Sequence, residues 1–277
     1  MPPPRQNRSP SQFIDAIGTD HDRAVSPRIV SLVPSITELV CDLGLSKALV
    51  GRTGFCIHPR AIVRSIAKVG GTKDVNLRRL RGLAPTHVIV NIDENEKPTV
   101  DEIRETVPHV IATHPLAPLD NVALYRLLGG IFDVLPMAEK LAAEFIDAYD
   151  DVVASCSALP RRDVLYLIWR KPWMTVSRDT YISRMLALIG WDTSPEITQS
   201  RYPEIELNAA TLNGLDYVLL SSEPYRFGPR DIAEIAALLP HDRHRRVQLI
   251  DGEMTSWYGS RAISGLRYLK ELRLGAT

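Results

Sequence analysis

Residues 28–38 read Arg28-Ile29-Val30-Ser31-Leu32-Val33-Pro34-Ser35-Ile36-Thr37-Glu38, and this stretch decides the fold. Ile29 to Val33 is a short β-branched run, the mark of a buried strand. Pro34-Ser35 interrupts it. Ser35 is a favourable N-cap, and Glu38, three residues on, is placed to close a capping box. Ile36, Leu39, Val40 and Leu43 then recur at helical spacing, and Gly44 ends the helix. Residues 48–50 supply the next strand.

Working outward, the unit repeats. Asn76 caps a helix through Leu77, Leu80 and Leu83, Pro85 ends it, and residues 87–90 form a strand. Residues 99–106 read as helix and 109–112 as strand. Such alternation with short connections implies a parallel sheet covered on both faces. Residues 120–157 carry few strand signals and two apolar stripes, Leu124-Leu127-Leu128-Ile131 and Leu141-Ala142-Phe145-Ile146-Tyr149. Gly129-Gly130 and Pro136 are the places where this helix would bend or split. If continuous it would be on the order of 50 Å long, the right length to join two lobes stiffly. After Leu159-Pro160 the alternation resumes, with strands at 164–168, 217–220 and 247–250 and helices at 179–189, 207–212, 231–238 and 260–272. The expected fold class is therefore α/β: two Rossmann-like lobes bridged by a long backbone helix. The expected divisions are an N-terminal arm over 1–27 that is disordered or loosely held, an N-terminal lobe over 28–118, the backbone helix over 119–158 and a C-terminal lobe over 159–277.

Lys+Arg and Asp+Glu each number 33, so the net charge is zero, which argues against a nucleic-acid partner. The one basic cluster read from the sequence is 243–246, with His244 inside it, taken as a solvated loop. Cys41, Cys56 and Cys156 form no CxxC pair and fit a reducing compartment. Residues 1–27 hold no apolar run of signal-peptide length, no cysteine precedes Cys41, and no stretch of about 18 apolar residues occurs. On that reading the protein is cytoplasmic and inserts in no membrane. The alternative is a misassigned start codon.

The order of elements and three groups of residues resemble one family. They are the opening 28–38; Val69-Gly70-Gly71-Thr72 with Asn76-Leu77 and 83–90; and Gly190-Trp191 with Trp257-Tyr258-Gly259-Ser260-Arg261. The family is that of the helical-backbone substrate-binding proteins serving metal-chelate, haem, siderophore and cobalamin importers, and the resemblance spans residues 28–272. It is nearest to the cobalamin-binding branch. It implies a ligand cleft between the lobes, lined by aromatic residues, with a corrinoid, haem or other metal chelate as ligand and no covalent cofactor. It also implies a monomer.

The residues matching such a lining are Phe55, Trp169, Trp173 with Met174 beside it, Tyr202, Trp257 and Tyr258, all near the carboxyl ends of strands, where open α/β sheets bind ligands. Arg261 is a candidate for anionic ligand groups, and Glu94 and Glu223 for polar ones. Glu94 and Glu96 also have the simpler reading of capping the helix near Thr99. Cys56 and His58, two residues apart, are candidate axial ligands to a metal, with His114 or Glu94 able to complete a site, although Cys-x-His lacks the spacing of a structural zinc site. Where the family's importer-docking relatives carry one acid on each lobe tip, this sequence has Arg78 and Asn208; a reversed charge would repel an arginine-bearing permease. Glu204 and Glu206 lie close to the second position.

No Gly-x-Ser-x-Gly elbow, P-loop or His-Glu-x-x-His occurs, and Gly51-Arg52-Thr53-Gly54 lacks the third glycine of a nucleotide fingerprint. The reading is a binding protein for a corrinoid, acting as a cytoplasmic carrier or sensor. The alternatives are a two-lobed chelatase using His and Glu, and a periplasmic importer receptor.

Overall fold

The computed structural model describes residues 13–196, 199–240 and 246–275. They divide into two compact units. One holds the chain as far as His114 together with Val122–Ala142, and the other Pro115–Asn121 with the chain from Ala143 onward.

The first unit is built on a five-stranded parallel sheet in the order β3-β2-β1-β4-β5: β1 Ile29–Ser31, β2 Leu49–Arg52, β3 Ala67–Lys68, β4 His87–Asn91 and β5 His109–Thr113. Its core packs Val30, Leu32, Val69, Leu80, Val88, Val90, Ile103 and Val110, contributed by alternate strand positions and by helices on the face they cover. Helix α1 runs Pro34–Asp42, starting two residues earlier than the capping box predicts. Val33 takes the N-cap position and Pro34 the first helical one, because proline's fixed φ and missing N–H suit the first turn. Ser35 is thereby buried, and its hydroxyl finds no hydrogen-bond partner among the described residues. Short α2, Arg60–Val63, and α3, Leu77–Gly82, flank β3, and α3 is capped as expected by Asn76, whose side chain accepts from Arg79 N at 2.9 Å. Helix α4 is Lys97–Arg104; Glu96 stands at its N-cap without a side-chain cap bond.

The helical stretch is two helices, α5 Asp120–Ile131 and α6 Leu135–Cys156. The chain turns at Asp133, whose φ is +56°. Gly129-Gly130 lies inside α5 and does not split it. A Cβ at Gly129 would meet Ala138 Cβ, and one at Gly130 would meet the Phe13 ring, so the pair permits close approach.

Residues 1–12 lie outside the described residues, but residues 13–27 correct the expectation of a loose arm. The buried Asp15 carboxylate accepts from Ala112 N at 3.0 Å and Thr19 N at 2.9 Å, and pairs with buried His21 at 3.1 Å. Ala16 N donates to Ala112 O at 3.0 Å and Ala24 N to Ile131 O at 2.7 Å. Polar composition concealed this because the anchor is a buried carboxylate satisfied by backbone donors.

The second unit has the sheet order β10-β9-β6-β7, with β8 also on β6: β6 Arg162–Trp169, β7 Met174–Thr175, β8 Trp191–Thr193, β9 Tyr217–Ser221 and β10 Val247–Ile250. Strands β6, β8, β9 and β10 are parallel, and β7 returns antiparallel on β6. Helices α7 Tyr181–Ala187, α8 Ala209–Leu212, α9 Pro229–Ala236, α10 Gly252–Ser256 and α11 Arg261–Gly275 complete it. The basic stretch 243–246 lies outside the described residues save Arg246.

Candidate ligand site

Because β6, β9 and β10 run parallel, the loops that leave their carboxyl ends emerge at one margin of the sheet. Strand β6 delivers Trp169, 40% exposed. The turn into β7 delivers Trp173 and Met174, both half-buried. Residues 221–227 leave β9. Their rings interlock: Trp169 meets Tyr225 edge-on at 5.8 Å, Tyr225 meets Phe227 at 4.7 Å, and Phe227 stacks on Trp173 at 6.1 Å and 4°. Arg170 lies over the Trp173 ring at 5.4 Å while pairing with Asp231 and, at 2.7 Å, Glu234. Residues 201–205 run beside β7, Pro203 O accepting from Thr175 N and Trp173 O from Ile205 N, which brings half-buried Tyr202 to the same margin.

After β10, Asp251 caps α10 by accepting from Met254 N, and the chain then reaches Trp257. Trp257 Nε1 donates to Glu223 Oε1 at 2.6 Å and Ser256 Oγ donates to the same oxygen at 2.9 Å. Burial pushes the Glu223 carboxyl above its usual range, with these two bonds pulling the other way. Beneath it, Tyr166 donates to Ser221 Oγ, which donates to Glu223 O at 2.6 Å. Gly252 leaves room for this loop: a Cβ there would come within 2.6 Å of Glu223 Cγ. Arg261, expected to face ligand anions, pairs with Glu253 at 2.8 Å and covers the Trp257 ring at 4.9 Å. Tyr258 is buried against Tyr181, and Gly259 N is held by Asn121 Oδ1 at 2.7 Å. Trp257 and Tyr258 are thus packed residues, whereas Trp169 and Trp173 offer ring surface.

In the first unit, Phe55 is 63% exposed and leans on the 70–74 turn, where Gly54 N donates to Gly70 O at 2.7 Å. Cys56 beside it points inward: it is fully buried, 3.1 Å from Thr53 Oγ1 and 3.9 Å from Ser31 O, and burial pushes its thiol up. That position corrects its reading as an axial ligand, since a protonated, enclosed thiol presents no thiolate to a metal. His58 is half-buried, and among the described residues no three His, Cys, Asp or Glu side chains are grouped to hold a metal ion. Glu94 is half-buried; its neighbour Asn95 ties the loop down by donating to Thr72 O at 2.8 Å, and Asp93 lies 3.3 Å from His114. Arg78 is exposed on α3, and Asn208 caps α8 by accepting from Thr211 N at 3.0 Å.

Sequence reasoning missed Tyr225, Phe227 and Arg170. The signal was two aromatic residues, Tyr225 and Phe227, in the loop that leaves the carboxyl end of β9.

Two α/β units of mainly parallel strands, with aromatic loops gathered at strand ends, define a receptor for a small-molecule ligand. The chain belongs to the periplasmic binding protein family, whose profile matches residues 29–234. A curated relative, an uncharacterised ABC transporter substrate-binding lipoprotein of Bacillus subtilis, is 23% identical over 257 residues, covering 88% of this chain and 79% of its own. Among solved structures, the periplasmic vitamin B12-binding protein of Vibrio cholerae superposes with a TM-score of 0.78 at 16% identity, over 90% of this chain and 97% of its own. The periplasmic haem-binding protein of Roseiflexus sp. RS-1 gives 0.78 at 20% identity, over 91% and 99%. The fold is that of the helical-backbone substrate-binding proteins, and the chain is a binding receptor rather than an enzyme.

The expectation of a cytoplasmic protein is corrected by the same findings. The family is periplasmic, and the Bacillus relative is a substrate-binding lipoprotein. No helix of the described residues is long and apolar enough to cross a membrane.

Proposed function

We propose that the chain binds a flat metal chelate, a corrinoid by first choice, and hands it to an ABC importer. The observation that carries this is the exposed Trp169 ring with the half-buried Tyr225 and Trp173 rings at the carboxyl margin of the second unit's sheet, backed by Phe227, which is buried in the core. Stacking surface of this kind suits a large conjugated or apolar ligand face better than a small polar solute. Met174 and Tyr202 are further contacts in this reading, and Glu223 orients Trp257 from within. The fold shared with a vitamin B12-binding protein and with haem-binding proteins supports the ligand class and keeps haem as the second choice.

The test is a titration of the protein with cobalamin, cobinamide and haemin, read by tryptophan fluorescence and by the ligand's visible spectrum. Saturable binding of a corrinoid, weakened about tenfold or more by Trp169→Ala and Trp173→Ala, is the expected result. Tight binding of haemin alone moves the assignment to haem. Binding of none of the three sinks the chelate reading and leaves the fold untouched.

A further inference from the structure

We propose that Asn213 is a site of spontaneous chemical modification, at which the chain turns an amide into an acid and lengthens its own backbone. Glycine follows asparagine at one place in the sequence, Asn213-Gly214. This pair forms the connection from α8 towards β9. Both residues are exposed. A Cβ added to Gly214 would meet nothing within 4 Å, so no neighbouring element shields its nitrogen on that side. Neither the Gly214 N–H nor the Asn213 side chain makes a hydrogen bond among the described residues.

The other described asparagines are restrained. Asn76 and Asn208 accept from helix N–H groups, and Asn91 accepts from Asp93 N. Asn95 donates to Thr72 O, and Asn121 to Pro118 O and Tyr181 Oη. None of them precedes glycine. Asp251-Gly252 is the equivalent aspartate pair, and the fold holds it. Gly252 is buried, its N–H donates to Ser222 Oγ at 2.9 Å, and Asp251 Oδ1 accepts from Met254 N at 3.2 Å. One carboxamide is therefore left free to meet the nitrogen that follows it.

The Gly214 nitrogen, giving its proton to hydroxide, attacks Cγ of Asn213. An N–Cγ bond forms, the Cγ–Nδ2 bond breaks, and ammonia leaves with a proton from water. The product is a cyclic imide, which water opens. Attack at Cγ restores the original chain path with an aspartate side chain. Attack at the main-chain carbonyl carbon breaks the old peptide bond and leaves the chain running through the side chain, which adds a carbon to the backbone. Water is the only co-reactant, and nothing is oxidised or reduced.

The added carbon falls between two anchored residues. Leu212 and Leu215 are 1% and 9% exposed and pack in one cluster with Leu165, Leu167, Val218, Phe227 and Ile235. A close-packed core fixes the span between them, so a longer connection strains it. Strand β9 follows directly, and it delivers the loop that carries Tyr225. The modification thus sets a clock on the second unit.

The experiment incubates the full chain at pH 6 and pH 9 in isotopically labelled water and follows its tryptic peptides by mass spectrometry. Peptide 202–226 should take up the amide-to-acid mass gain, faster at pH 9. Fragmentation should place the gain at Asn213, in two separable acid forms that both carry the label. Peptide 247–261 should stay single in the folded protein and split into isomers when the chain is incubated in urea. Asn213→Gln should lose the gain at that position. The aged parent should show a second unfolding transition at lower temperature, absent from aged Asn213→Gln. Freshly purified Asn213→Asp, which carries the charge without the added carbon, should unfold as the fresh parent does. The proposal is overturned if peptide 202–226 keeps its mass at pH 9, or if another asparagine or Asp251 reacts as fast in the folded chain. It is also overturned if the converted protein unfolds as the fresh protein does.

Discussion

Trp257 Nε1 lies 2.6 Å from Glu223 Oε1, and the Arg261 guanidinium covers the other side of the same indole at 4.9 Å. The ring is held at its edge by an acceptor and over its face by a cation, so it has one orientation. Glu223 comes from the end of β9 and Trp257 from beyond β10, so this contact locks two site loops together.

Glu223→Gln should preserve that lock, because the amide oxygen still accepts, while Glu223→Ala should cost about 1–3 kcal/mol by orphaning two buried donors. The pH response separates the two forms. Burial raises the carboxyl's folded pKa, so the folded state holds its proton longer than the unfolded chain, and stability falls as pH rises above the ordinary glutamate range. Urea unfolding across pH 4–7 should show this decline in the parent and a flatter profile in Glu223→Gln.

His87 predicts the opposite slope. Burial, then the neighbouring His109 and His21, lower its pKa to about 4, from 6.5; its ring stacks on His109 at 4.6 Å. The unfolded chain protonates first, so the stabilisation is complete above pH 6.5 and is lost as pH falls toward 4. The loss attributable to this residue is on the order of 3 kcal/mol. Unfolding midpoints at pH 7.5 and 4.5 should differ less in His87→Gln than in the parent.

Gly130→Ala should release the N-terminal segment. The new methyl would occupy the space of the Phe13 ring. A loss of about 1–3 kcal/mol is expected, with earlier proteolysis within residues 13–24 as the local readout.

Ser35→Ala should be neutral or stabilising by about 1 kcal/mol, since it removes a buried hydroxyl that lacks a partner among the described residues. Thermal unfolding checks it, and a large loss would show that Ser35 has a partner in solution.

The sequence disclosed the long parallel strands because 87–90, 109–112 and 217–220 are β-branched or aliphatic runs between helix stops, where burial on both faces dominates. Two-residue β3 and β7 carry too few side chains for any period to register. Ser35 was misread as a cap because Pro34 claims the first turn on backbone grounds, and serine propensity cannot outweigh that. Trp169 and Trp173 were legible as aromatic residues at and just beyond the carboxyl end of β6. Tyr225 and Phe227 needed the parallel pairing of β6 with β9, a contact between residues more than fifty apart. The assignment of Cys56 failed because spacing alone does not say which of two neighbours turns inward: Phe55 is exposed and Cys56 enclosed.

Residues 15–16 occupy both backbone groups of Ala112, Asp15 taking its N–H and Ala16 its carbonyl. Ala112 belongs to β5, the sheet's last strand on that side. An uncovered last strand is a template for recruiting foreign chains into an aggregate. The opposite margin uses a different safeguard, a strand of only two residues bearing Lys68. The segment before Arg28 thus leaves less of the β5 margin open to a further strand, and the shortness of β3 does the same on the other side.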